Sequence, residues 1–207
     1  MGLLHGSCAF TRFIVSDALP QDYREEFPIK ISRFAFRGLD EISQEERSVG
    51  WVNIMDMFDS RFPENEFFKD PYIALSWRVD VRRVPAQALK QACRQAENDV
   101  KKEEGLEFLP KSRRQEIKES LRLQLLKRAI PSTKTYDMVW DSNSGLVLFS
   151  AVNNRLCDEF AEYFQKTFEL GLTSVYPLAL ARQTLEKDAL NPELLEALGP
   201  SIHVGSR

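Results

Sequence analysis

The feature that most constrains this chain is a double switch in its hydrophobic period. Along Tyr72–Val81 the apolar residues follow strand spacing. From Pro85 they recur at Ala88, Leu89, Ala92, Cys93, Ala96 and Val100, the spacing of one helix face. After Thr133 the strand period returns. Gly105 breaks the helical stretch and Pro110 restarts it to about Ile130, where Pro131 stops it. Two helices joined by a short turn make a helical hairpin, here set between two strand-rich runs. The predicted fold class is α+β: two antiparallel β-rich lobes with packed helices and a projecting basic helical hairpin.

The flanking runs are legible in the same terms. Strands are predicted at 8–15, at 49–54 and, most strongly, at Tyr72–Val81. A helix is predicted from Pro20 to about Arg33, bent or divided at Pro28, which lacks an N–H and crowds the preceding turn. The stretch Met55–Asp70 carries Phe58, Phe62, Phe67 and Phe68 among charges and reads as a loop with aromatic anchors. Pro85 suits the first position of its helix. Beyond the hairpin, Tyr136–Trp140 and Leu146–Phe149 flank an Asp-Ser-Asn-Ser-Gly turn, a β-hairpin signature. Asn153 or Asn154 caps a helix to Phe168, with Leu156, Phe160, Phe164 and Phe168 on one face. A last strand is expected at Thr173–Tyr176 and a short terminal helix from Asn191-Pro192. Residues 1–83 thus form an N-terminal β-rich part and 84–132 the hairpin. Residues 133–185 form a second β/α part of the same central domain, and 186–207 a tail.

Residue inventory removes much chemistry. The chain has two histidines, His5 and His203, each near a terminus of the sequence, where order is poorest. Ser-His-Asp and Cys-His nucleophilic sites, histidine zinc sites and facial triads are therefore not expected. Cys8, Cys93 and Cys157 are odd in number and far apart, which suits a reducing compartment and no Cys-x-x-Cys site. No glycine-rich phosphate loop is present. Residues 1–7 lack a basic region followed by an apolar core, and no window is apolar enough to span a membrane. The sequence predicts a cytoplasmic protein with no catalytic residues, no metal and no cofactor.

Charge supplies the positive signal. The chain is −3 in all, yet the segment from Arg82 to Lys134 holds 14 Lys and Arg against 7 Asp and Glu. The remainder holds 14 basic and 24 acidic residues. Asymmetry on this scale points to a partner for one region. In the second hairpin helix, Lys111, Arg114, Lys118 and Arg122 are spaced by 3, 4 and 4, which places them on one face within ~80° of arc. Such a row is mildly unfavourable in isolation and favourable against a phosphate backbone; a solvated helix face is the plainer alternative. Lys127 and Arg128 extend the basic set. The end of the helix is apolar on two sides: Leu121 and Leu125 on one, Leu123, Leu126 and Ile130 on the other. That asks for two partners, the body of the protein and either a second sheet or a second subunit.

Two further chemistries fit the residues less well. Glu116-Ile-Lys118 matches half of a metal-nuclease motif, but on a helix and without an adjacent aspartate; Asp137 and Asp141 in or beside a turn are expected on turn grounds. Trp51, Trp77 and Trp140 would serve as stacking platforms for single strands if exposed, but they fall in core patterns. Cys93, among alanines, reads as a small buried hydrophobe.

The order of motifs then becomes recognisable. Gly50-Trp51, the strand Tyr72–Val81, Val84-Pro85 opening a charged helix and Leu125-Leu-Lys-Arg-Ala-Ile130 resemble the RdgC family. Tyr136–Asp141 with Gly145-Leu146, then Val175-Tyr-Pro-Leu178, agree; the resemblance covers about residues 8–185 in collinear order. RdgC is a bacterial recombination-associated DNA-binding protein, sometimes labelled an exonuclease. The resemblance implies a homodimer closing around double-stranded DNA, nucleoid-associated and limiting RecA recombinase action. It also implies a subunit contact at the helix end, so Leu123, Leu126, Arg128 and Ile130 are candidate dimer contacts. The family has an aromatic where this chain has Ile130, and longer members carry a further C-terminal region that joins their subunits. Two competing readings stay open: a metal-dependent DNA exonuclease, and an interaction module whose basic hairpin takes an acidic protein.

Overall fold

A computed structural model describes residue 3, residues 9–40, 45–187, and residues 191 and 195. The elements are β1 (Thr11–Val15), α1 (Tyr23–Arg33), β2 (Arg47–Asn53), β3 (Phe68–Lys69), β4 (Tyr72–Val81), α2 (Ala86–Glu104), α3 (Lys111–Arg128), β5 (Ser132–Asp141), β6 (Leu146–Phe149), α4 (Asn154–Phe168), β7 (Leu172–Ser174) and α5 (Pro177–Lys187). His5, His203, Cys8 and the start of the expected terminal helix at Pro192 lie outside the described residues.

The strands form one antiparallel sheet in the order β2-β4-β5-β6-β1-β7, with β3 added beside β4. The α+β class is as predicted. The strand-rich runs, however, do not form two lobes: β4 and β5 pair along ten residues, Tyr72 with Asp141 through Val81 with Ser132, and fuse the runs into one sheet. Alternation along each strand then builds a single apolar face. Ile73, Leu75 and Trp77 of β4, Met138 and Trp140 of β5, Val147 and Phe149 of β6, Phe13 of β1 and Trp51 of β2 are all buried on it.

Helices α4 and α1 cover that face. Asn153 caps α4, its side chain accepting from the Leu156 N–H at 3.1 Å. Phe160, Phe164 and Phe168 are buried as their spacing predicts. Phe160 stacks on Phe149 with ring centres 3.8 Å apart, and Phe27 of α1 meets Phe168 at 4.9 Å and Trp140 at 5.5 Å. The Trp51 indole donates to the Thr167 hydroxyl at 3.0 Å. Each such aromatic anchors the core by several kcal/mol; truncation to Ala typically costs ~3–5 kcal/mol.

Some expectations change. Helix α1 runs undivided through Pro28, because Phe27 and Ile31 on either side are wholly buried and hold both halves against the core. The 55–70 stretch contains a short 3-10 turn at Pro63–Asn65 and strand β3; Phe62 and Phe67 are buried there while Phe58 is exposed. The final strand is shorter than expected, and Pro177 opens helix α5, for which Pro is a suitable first residue. Pro85 caps α2 from one position before its first residue. Cys157 is buried, but Cys93 is only half-buried.

Gly50 marks the tightest approach. Residues 34–36 cross beside β2, with Phe36 N–H donating to Trp51 O and Trp51 N–H to Phe34 O. A Cβ at position 50 would lie 2.2 Å from Phe36 Cα, a clash with backbone that no rotamer relieves. Gly50→Ala should therefore cost at least the ~1–3 kcal/mol of core overpacking, lowering Tm by about 2–12 °C. Gly38→Ala, with open space around its Cβ position, should leave Tm within about 2 °C. Thermal unfolding followed by circular dichroism checks both.

Candidate nucleic-acid interface

The hairpin is built from helices that need little from the body. Gly105 ends α2 in the left-handed conformation, φ 64°, where a side chain would be strained. Pro110 precedes α3, and Leu109 is buried at the turn. No residue of α2 is buried, and in α3 only Leu126 is. The apolar face of α2, Leu89, Ala92, Cys93, Ala96 and Val100, is half-covered, as are Leu121, Leu123 and Leu125 of α3. The two helices pack chiefly on each other and project from the sheet.

Of the predicted basic row, Lys111, Arg114 and Lys118 are exposed and form no ion pair among the described residues. Arg122 differs: its guanidinium is bound by the Glu46 carboxylate. The cause is position. Arg122 stands one turn before Leu126, which is only 2% exposed, so this end of α3 lies against the body. Glu46 sits there because its carbonyl accepts from the Arg82 N–H at 2.8 Å, holding the approach to β2 beside the root of the hairpin. Off the row, Arg113 pairs with Glu116 at 3.0 Å. Lys127 and Arg128 are exposed at the C-terminal end of α3, where the helix dipole favours cations.

The candidate dimer residues divide in the same way. Leu126 is consumed by packing within the chain, and Leu123 is half-buried. Arg128 is exposed, and Ile130, just past the helix, is 91% exposed. Leu126 is therefore removed from the candidate contacts, and Ile130 is the large apolar side chain left outside.

The carboxylates weighed for metal chemistry are engaged elsewhere. Asp137 is buried, accepting from the Ser76 hydroxyl at 2.6 Å and the Leu3 N–H at 2.7 Å. Asp141 accepts from the Ser144 hydroxyl at 2.7 Å and the Asn143 N–H at 2.9 Å, which holds its pKa below the ordinary carboxylate value. Among the described residues no group of three or more His, Cys, Asp or Glu is placed to share a metal ion. Trp51, Trp77 and Trp140 are core residues and offer no stacking surface.

One feature escaped the sequence reading. A cleft of about 600 Å³ opens at the root of the hairpin, lined by Arg47, Arg83, Lys134 and Arg155 with a single carboxylate, Glu159. These cations come from four separate segments; Arg83 and Lys134 fall at the two ends of the basic stretch, but no local charge count brings them together with Arg47 and Arg155. The signal was in the alternation: positions 51, 49 and 47 read Trp, Val, Arg, and positions 77, 79, 81 and 83 read Trp, Val, Val, Arg.

A single antiparallel sheet backed by two helices, with a basic helical hairpin inserted in the chain between its two longest strands, defines the class of protein. The chain belongs to the RdgC family: residues 19–187 match the family model described as "Putative exonuclease, RdgC". At the level of the family this is a recombination-associated, DNA-related function. No curated protein matches the chain. Among the described residues no helix is long and apolar enough to cross a membrane.

The Arg122–Glu46 pair is close to half exposed on both sides, 43% and 47%, so solvent screens it. Glu46→Gln should change the unfolding free energy by less than about 1 kcal/mol. Urea unfolding of the two proteins should give midpoints that nearly coincide.

Proposed function

We propose that this protein binds double-stranded DNA electrostatically, without reading base sequence, through the exposed cations of the hairpin. The observation that carries this reading is the row Lys111, Arg114 and Lys118, unpaired and exposed on one face of a projecting helix. Unpaired like charges at i,i+4 gain most from a partner that neutralises them together, and a phosphate backbone does so while releasing its counterions. Phosphate contacts position a protein on DNA without specifying sequence. Lys127 and Arg128 extend the contact toward the root of the hairpin. Arg122 is recruited only where phosphate competes successfully with Glu46.

In this reading the protein acts as a homodimer, joined in part at Ile130 and the half-covered hairpin faces. It occupies DNA in the cytoplasm, at the nucleoid, and thereby restrains RecA recombinase. In this reading it is a binding protein and not a nuclease: Asp137 and Asp141, the carboxylates weighed for metal chemistry, serve the sheet and a turn.

Salt-titrated binding to unrelated duplexes tests the site. Arg114→Ala with Lys118→Ala should weaken all duplexes alike and flatten the slope of log K against log salt by about 1.8. Unchanged affinity and slope would move the site off α3. Magnesium should leave the DNA intact; magnesium-dependent loss of ends, abolished by a carboxylate substitution, would favour the exonuclease. Failure to bind any duplex at moderate salt would favour an acidic protein partner.

Ile130→Asp should shift the dimer to monomer, because an unpaired carboxylate buried at an interface costs several kcal/mol. Light scattering reads the outcome, and a wild-type monomer at high micromolar concentration would overturn the dimer.

A further inference from the structure

The cleft at the root of the hairpin follows from where the sheet outruns its covering helix. Residues 47, 49 and 51 of β2 register with 81, 79 and 77 of β4, which register with 132, 134 and 136 of β5. All point to the face that α4 covers. Over Trp51 and Trp77 that face is roofed by Phe160 and Tyr163. Two residues further along, the roof ends near Arg155, in the first turn of α4, and the face is left open. Here the inward positions cease to be aromatic: Val79 and Val81 form the floor, and Arg47, Arg83 and Lys134 rise around it.

The charge inside is strongly one-sided. Four cations line the cleft against Glu159, which binds Arg47 and Arg155 from either oxygen, at 3.3 Å for Arg155. Arg83 and Lys134 are exposed and form no ion pair among the described residues. Four cations converging on a concave surface repel one another, and one carboxylate cannot neutralise them. An anion with several oxygens can, and two or three guanidinium forks are suited to phosphate.

We propose that this cleft is a second phosphate-binding site, set at the root of the hairpin and built from Arg47, Arg83, Lys134 and Arg155. It rests on the DNA-binding reading for its natural occupant, the phosphates of a nucleic-acid strand that leaves the α3 row and passes over the sheet. Glu159 acts as an internal competitor: it holds Arg47 and Arg155 in place when the cleft is empty and gives them up when phosphate enters. Tyr136 contributes a neutral hydroxyl at the cleft wall, since burial pushes its pKa above the ordinary phenol value despite the opposing charge of Arg47.

The test uses the full chain and two probes. Inorganic tripolyphosphate, followed by calorimetry, reads the cleft without DNA. Fluorescent duplexes, with 5′-hydroxyl or 5′-phosphate ends, read the strand. Arg83→Gln with Lys134→Gln should weaken tripolyphosphate binding at least about tenfold and flatten the duplex salt slope by about 1.8, additively with the α3 double variant. Glu159→Gln should have the opposite sign and tighten tripolyphosphate. Equal losses for both kinds of duplex end assign the cleft to backbone phosphodiester; a loss confined to 5′-phosphate duplexes assigns it to a strand terminus. Tripolyphosphate and duplex binding that are both unchanged in Arg83→Gln/Lys134→Gln, with circular dichroism confirming the fold, would overturn the cleft. Loss of DNA binding in the α3 variant would then leave the hairpin reading standing. A wild type that binds tripolyphosphate in the cleft but no duplex would do the reverse.

Discussion

The antiparallel pairing of Tyr72–Val81 with Ser132–Asp141 is the constraint on which the rest of this structure depends. It joins strands from either side of the helical segment into the centre of one sheet. Because Val81 faces Ser132, the chain leaves the sheet and re-enters it at adjacent points on the same end. Everything between must go out and come back, and a pair of antiparallel helices of nearly equal length does this with least irregular backbone. The hairpin is therefore anchored by a long ladder of main-chain hydrogen bonds, although it buries almost nothing itself. Its position is fixed by the sheet and its surface is left free for charge.

The same pairing supplies the core. Once β4 and β5 are in register, Ile73 lies opposite Trp140, Leu75 opposite Met138 and Trp77 opposite Tyr136 on one face. A slip of one residue would send all of them to the other face. That other face could not receive them, since it carries Ser76, Asp80 and Asp137, joined by hydrogen bonds to Asp137 from Ser76 and to Asp80 from Arg78. Apolar and polar alternation thus specify the register from both sides.

Much of this was legible in the sequence because it rests on local periodicity. The limits of β4, the Asn153 cap, the phenylalanine face of α4 and the hairpin breaks at Gly105 and Pro110 are properties of neighbouring residues. What escaped depends on contacts far apart in the chain. One sheet, and not two lobes, follows from a pairing across the whole hairpin. Helix α1 survives Pro28 because buried Phe27 and Ile31 outweigh the lost hydrogen bond. The basic row was visible as spacing, but the capture of Arg122 by Glu46 joins residues 76 positions apart. The cleft is the extreme case, since its four cations share a site only after the sheet and α4 have met.

Screening explains why projection matters for a protein whose body is acidic. At physiological ionic strength a charge is felt over a Debye length of about 8 Å. With a rise of ~1.5 Å per residue, Lys111 stands roughly 16 Å along the axis from Arg122, about two Debye lengths from the acidic group that neutralises it. Lys118 stands roughly 6 Å away, within reach of that field. The row is thus graded, free at its outer end and held at its root. The remainder of the chain, with 24 acidic residues against 14 basic, carries a net negative charge that opposes a phosphate backbone away from the hairpin and its root. A chain that is negative overall can in this way present a polyanion with one favourable direction, along the hairpin and toward the sheet at its root.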